Sequence, residues 1–188
     1  MKFDLVLANV GGQGGLSIAA VVAIAARHQG LFVKQSEVHG MSQRGGAVSA
    51  HLRLSDQEVA SPLIPLGAAM MILSLEPMES VRYLQYLSAQ GRVVSAMAPV
   101  VNIPDYPVLE ELHLKLKKIP GTVLVDADRL AREAGTLRSA NMVMLGAASK
   151  FLPLKVQALE DAIREIFSSK GPVVVEQNLK AFALGRGV

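Results

Sequence analysis

Continuous apolar runs alternate along the chain with stretches whose apolar positions recur every three or four residues, the pattern of strands followed by helices. Phe3 to Ala8 reads as a buried strand; Asn9-Val10 and four glycines within five positions follow it, and then a small-residue helix from about Gly15 to Gln29. Leu31 to Gln35 is a second strand, reached by a crossover long enough to run parallel to the first. Only about eleven residues without helical pattern separate it from the next run, Ala47 to Leu54, too few for a helical crossover, so the third strand is expected to be antiparallel and the sheet mixed. In that run Val48, Ala50, Leu52 and Leu54 share one face while Ser49, His51 and Arg53 share the other, whose polar side is expected to meet water or a partner. Strand-then-helix alternation resumes with strands at Met70 to Leu75, Arg92 to Ala96 and Thr122 to Val125. A helix is expected to start at Glu76-Pro77, where proline fits the first turn, with others near Val108 to Lys118, Asp128 to Ala134, Ala140 to Phe151 and Val156 to Phe167. Pro172 to Leu184 begins with a strand-like VVV, but proline at its start and Gly185 at its end favour a helix. Together these elements predict one α/β domain over residues 1–188, a three-layer Rossmann-like fold around a mixed, mostly parallel sheet.

In such sheets ligands bind beyond the carboxyl ends of the strands, which directs attention to four segments: Val10 to Gly15, Ser74 to Glu76, Ser95 to Pro99 and Asp126 to Asp128. The first holds Gly11, Gly12, Gln13, Gly14 and Gly15, where backbone is free to approach a ligand and the following helix aims unpaired N–H groups at it, so an anion is the natural guest. As a dinucleotide fingerprint the run is imperfect, because Ser17 stands where glycine or alanine is expected and no acid is well placed for a ribose. No lysine follows the glycines before Lys34, which excludes a Walker-type triphosphate site. A second unusual stretch, SEVHGMSQRGG at Ser36 to Gly46, sets the guanidinium of Arg44 beside Gly45 and Gly46, a pairing suited to phosphate or carboxylate or, more plainly, to a hairpin loop; Gln43 adds an amide. Glu76 and the pair Asp126 and Asp128 read as helix-start residues, and no catalytic residue is assigned. His28, His39, His51 and His113 show no metal-ligand spacing, and no metal is expected.

Composition narrows the functional classes. The 19 basic and 16 acidic residues leave a charge of +3, too slight and too scattered for a nucleic-acid surface. The longest apolar run, Leu16 to Ala26, is too short to span a bilayer, and Asp4 interrupts the N-terminal segment where a signal peptide would be apolar, so a cytoplasmic location without membrane contact is expected. Counted with glycine in place of tyrosine, the apolar share is roughly 58%, above the usual 45–50%, as an Ala/Val/Leu-rich core or a face hidden against a partner would give. The chain has no cysteine, which removes thiolate ligation of a metal or an iron–sulfur cluster within it.

Five segments in order, GGQGG, SEVHGMSQRGG, SLEPME, NMVMLGA at Asn141 to Ala147 and EQNLKAFALG near the end, resemble the gamma subunit or domain of 2-oxoacid:ferredoxin oxidoreductases, and within that family most of all the small beta subunit of the indolepyruvate type. The resemblance implies a part in the oxidative decarboxylation of a 2-oxoacid, an arylpyruvate such as indolepyruvate, on thiamine diphosphate, with acyl transfer to coenzyme A and electrons passed through iron–sulfur clusters to ferredoxin. It also implies a larger partner subunit carrying thiamine diphosphate, magnesium and the clusters, with ferredoxin met only indirectly. Coenzyme A is the implied guest of this chain, its phosphates suiting Gly11 to Gly15 and the group Gln43, Arg44 and Gly45. Two other readings remain open at this point: a self-sufficient NAD(P)-binding oxidoreductase, and a scaffold whose glycines serve close packing.

Overall fold

The structure, a computed structural model, describes residues 1–39 and 45–188, with His39 described by its backbone alone. Gln43 and Arg44 therefore lie outside the described residues.

Among the described residues six strands form one sheet: β1 (Lys2–Val10), β2 (Phe32–His39), β3 (Ala47–Ser55), β4 (Ala69–Ser74), β5 (Leu87–Ala96) and β6 (Val123–Val125), in spatial order β2-β3-β1-β4-β5-β6. β1, β4, β5 and β6 pair in parallel, whereas β3 runs antiparallel to both β1 and β2. The mixed sheet expected from the short β2–β3 connection is thus present. β2 does run in the same direction as β1, but β3 lies between them, so the two share no hydrogen bonds.

The helices are α1 (Gly15–His28), α2 (Pro77–Arg82), α3 (Leu109–Lys117), α4 (Ala127–Ala134), α5 (Ala140–Ser149), α6 (Val156–Phe167) and α7 (Pro172–Arg186). The ambiguous last element is helical throughout; proline at its first turn suits a helix start, and a central strand would need that N–H. None of these helices is long and apolar enough to cross a membrane.

α1 and α5 pack against one face of the sheet, α2 and α3 against the other, and α6 and α7 stack outside α1 and α5, so one side of the sheet is two helices deep. That depth explains α5, whose residues from Asn141 to Ser149 are all buried: a helix between a sheet and another helix is apolar all round. It meets α7 at very close range. A Cβ on Gly146 would overlap the Phe182 carbonyl oxygen, and one on Gly185 would overlap the Val143 carbonyl oxygen.

One expectation needs correction. The polar face of β3 is buried within the chain, and the segment at 56–68 folds over its His51 and Arg53. Arg53, 7% exposed, donates from Nε to Asp4 Oδ1 at 2.8 Å and from Nη1 to the carbonyls of Ser61 at 3.0 Å and Leu63 at 2.9 Å. His51 accepts at Nδ1 from the Ile64 N–H at 3.1 Å and stands edge-on to the Tyr86 ring. Alternation showed which side chains share the face; a segment without period gave no sign that it would cover them.

Burial first and the Arg53 charge second hold His51 below its ordinary pKa of 6.5, so the folded chain keeps it neutral. As pH falls through the unfolded value, the unfolded chain takes up a proton that the folded chain refuses, and the His51 contribution to stability is lost on the acid side. Melting curves between pH 8 and pH 5 should fall less steeply for His51→Gln than for the wild type; identical slopes would refute this.

Candidate functional site

The connection leaving β1 passes to one face of the sheet through α1, and the connection leaving the parallel neighbour β4 passes to the other face through α2. Between the carboxyl ends of these strands the fold opens a crevice, the usual ligand position in a doubly wound sheet. All four segments singled out from the sequence meet there. Gly12 and Gln13, Leu75, Ala96 with Ala98 and Pro99, and Ala127 with Asp128 line one cavity of about 320 Å³.

The glycines divide by role. Gly12 has φ of 102°, a conformation that residues with a Cβ rarely adopt, and nothing lies within 4 Å of where its Cβ would be. It faces open space. Gly14 and Gly15 instead allow close packing: a Cβ on Gly14 would lie 2.6 Å from Asn141 Nδ2, and one on Gly15 would overlap the Asn9 amide oxygen. Asn141 Nδ2 also donates to the Gly14 carbonyl at 3.1 Å, tying the loop to the start of α5. Gly11 exchanges backbone hydrogen bonds with the far side of the β2–β3 loop, its N–H to Gly46 O at 2.8 Å and its carbonyl to the Gly45 N–H at 3.4 Å. The two glycine-bearing stretches are therefore neighbours in space, and Asn102 Nδ2 also donates to Gly45 O at 2.6 Å.

Both ends of the Gln13 amide make a hydrogen bond within the chain. Its Oε1 accepts from the Val10 N–H at 2.8 Å and its Nε2 donates to the Leu75 carbonyl at 2.8 Å, fastening the ends of β1 and β4 across the crevice. It shapes the loop. The N–H groups of Gly12, Gly14, Gly15 and Leu16 find no backbone carbonyl outside their own helix among the described residues, and they are the donors the loop can offer.

Glu76, only 1% exposed, is the N-cap of α2, accepting from the Glu79 N–H at 2.8 Å. Its other oxygen accepts from the Val100 N–H at 3.4 Å and from the Tyr106 hydroxyl, so one carboxylate holds the segment that forms the cavity wall at Pro99 and Val100. Burial, reinforced by that carboxylate, raises the Tyr106 pKa and keeps its proton in place. Asp126 caps α4 as expected, accepting from the Arg129 N–H at 3.1 Å.

Sequence reasoning missed the wall contributed by Leu137 to Asn141. A second cavity, of about 380 Å³, opens on the other side of the glycine loop, and Gly12, Gln13, Arg138 and Asn141 line both cavities. The available signal was Thr136 just ahead of the NMVMLGA helix: its hydroxyl accepts from the Arg138 N–H at 3.3 Å in a capping turn that brings Arg138 to the loop.

The sequence profile of the family described as pyruvate ferredoxin/flavodoxin oxidoreductase matches residues 4–188. The chain belongs to this family. Over 98% of its length it is 36% identical to indolepyruvate oxidoreductase subunit IorB of Archaeoglobus fulgidus, of which it covers 94%. The keto/oxoacid ferredoxin oxidoreductase gamma subunit of Geobacter sulfurreducens superposes over 97% of this chain and 95% of its own, with a TM-score of 0.71 and 25% identity. The 2-oxoglutarate:ferredoxin oxidoreductase of Magnetococcus marinus, solved with 2-oxoglutarate, coenzyme A and succinyl-CoA bound, shares the fold at a TM-score of 0.78 and 22% identity; this chain matches 30% of that longer one. The oxidoreductase family and its mixed α/β fold, expected from the five sequence segments, are those found.

Proposed function

We propose that this pyruvate ferredoxin/flavodoxin oxidoreductase family member is the cluster-free subunit of an indolepyruvate-type 2-oxoacid:ferredoxin oxidoreductase and that it holds coenzyme A against an active site carried by a larger partner subunit. The observation that carries the reading is the crevice between β1 and β4, where Gly12, whose N–H meets no backbone carbonyl among the described residues, lines a cavity built from every strand end the sequence pointed to. The indolepyruvate assignment rests on the relatives named IorB, and the coenzyme A assignment draws support from the bound complex of the Magnetococcus marinus enzyme.

A chain without cysteine offers no thiolate for an iron–sulfur cluster, so electron transfer belongs to the partner. Thiamine diphosphate, held by that partner, supplies the decarboxylation chemistry. The residues here do three things: the loop's N–H groups receive phosphate oxygens, Gln13 keeps the loop fixed to β4, and Glu76 keeps the 97–106 segment in place as a wall. Around the mouth Val100 and Leu137 line the cavity, and Val101, Ile103 and Val108 on the adjoining loop are exposed, an apolar rim of the kind a partner subunit covers.

Equilibrium titration of coenzyme A onto the assembled enzyme tests the reading. Gly12→Val adds side-chain bulk on the open side of the loop and strains it, and should weaken binding by about tenfold or more, with subunit assembly intact by size-exclusion chromatography. Arg44→Ala should weaken it as well. Unchanged affinity in both variants would leave the chain a scaffold, and a saturable NADH response would favour the stand-alone dehydrogenase.

A further inference from the structure

The two cavities on either side of the glycine loop differ in chemistry. The inner one is lined largely by apolar side chains, among them Leu75, Val100, Leu137 and Met144, with Asp128 as its one acid. The outer one has no acidic residue in its lining and contains two cations, Arg138 and Lys170, together with Thr136, Ser139 and Asn178. Arg138 stands in the wall common to both, which Gly12 also lines. Neither Arg138 nor Lys170 forms an ion pair with a carboxylate among the described residues, whereas Arg53, Arg82, Arg129 and Arg164, four of the nine described arginines, pair with acids. Lys170 has an aromatic contact instead, its ammonium 5.2 Å from the Phe167 ring centre.

An unpaired arginine between a cationic and an apolar cavity suits a ligand that is itself divided, with phosphates at one end and an uncharged arm at the other. We propose that Arg138 and Lys170 are binding residues that set the direction in which such a ligand lies across the loop. Arg138 and the Gly12 backbone receive the diphosphate, Lys170 receives the terminal ribose phosphate in the outer cavity, and the uncharged amide arm lies in the inner one. This rests on the coenzyme A reading above and adds to it a polarity and two side chains that the sequence did not single out.

The test uses the assembled enzyme and calorimetric titration with three probes: coenzyme A, dephospho-coenzyme A and pantetheine. Arg138→Gln should weaken coenzyme A and dephospho-coenzyme A alike by about tenfold, the scale of one lost hydrogen bond to a charged group. Lys170→Gln should weaken coenzyme A alone, because the phosphate it meets is absent from the dephospho compound. Pantetheine, which carries no phosphate, should bind wild type and variants equally. Both side chains are exposed, so melting temperatures should stay within a degree or two of wild type, which separates a binding role from a structural one. If neither substitution alters coenzyme A affinity while Gly12→Val does, coenzyme A binds this loop but not in this direction, and the inference is overturned by itself. If wild type binds none of the probes, the coenzyme A reading fails with it. Equal losses of both nucleotides in Lys170→Gln would overturn the placement of the ribose phosphate.

Discussion

Gly146→Val should leave little folded protein, with a loss of about 3 kcal/mol or more from a total that for domains of this size is commonly about 5–15 kcal/mol. The reason is geometric. α5 and α7 cross with backbone against backbone, and a Cβ at position 146 would overlap the Phe182 carbonyl oxygen and lie 3.0 Å from the Arg186 nitrogen. Neither neighbour is the end of a flexible side chain, so the helices must separate. Separation would open the layer around Met142, Met144, Leu145 and Phe182, all of them fully buried. Gly185→Val should act in the same way from the facing helix, against the Val143 carbonyl. Because both variants push the same two helices apart, their effects should be far from additive. Chemical denaturation of each single variant and the double variant reads this out, and a Gly146→Val protein as stable as wild type would show that α7 does not pack as described.

Arg53→Met should cost about 3–5 kcal/mol, because it removes the partner of a carboxylate that is only 3% exposed. Asp4 would keep only the Lys2 ammonium, at 3.4 Å on the solvent side. The same substitution releases the Ser61 and Leu63 carbonyls, so the cover over β3 should loosen, with faster proteolysis in the 56–68 segment. Replacing both partners, Asp4→Leu with Arg53→Met, should recover most of the loss, since a buried pair exchanged for apolar groups of similar volume is often neutral or better. A double variant as unstable as the single one would mean that the carbonyl contacts, and not the ion pair, dominate.

These two cases mark what the sequence could and could not convey. Period two and period 3.6 are local signals, and they located every strand that supports the crevice, the antiparallel β3 included, with α6 matching to the residue. Strand ends then specified where the site lies, since Gly12, Leu75, Ala98 and Asp128 come from four segments that only the sheet brings together. What stayed hidden was non-local. Gly14 and Gly15 look like ligand glycines in the chain, but their tightness comes from Asn141 and Asn9. Gln13 looks like a free amide until the end of β4 brings up the Leu75 carbonyl that its Nε2 meets. Arg138 has no motif around it, and only the packing of α5 against the loop puts it in the wall of the cavities that Gly12 lines. NMVMLGA and FALG, two stretches within the segments that carried the resemblance, hold the facing glycines of the α5–α7 crossing, a packing requirement that no inspection of either segment alone reveals.

The most direct test of the whole account is reconstitution. The purified chain, its larger partner subunit and the two mixed are each assayed for ferredoxin reduction driven by an aryl 2-oxoacid in the presence of coenzyme A. The account predicts no turnover by the chain alone and full, coenzyme A-dependent turnover by the mixture. Sustained ferredoxin reduction by the isolated, cysteine-free chain would contradict it.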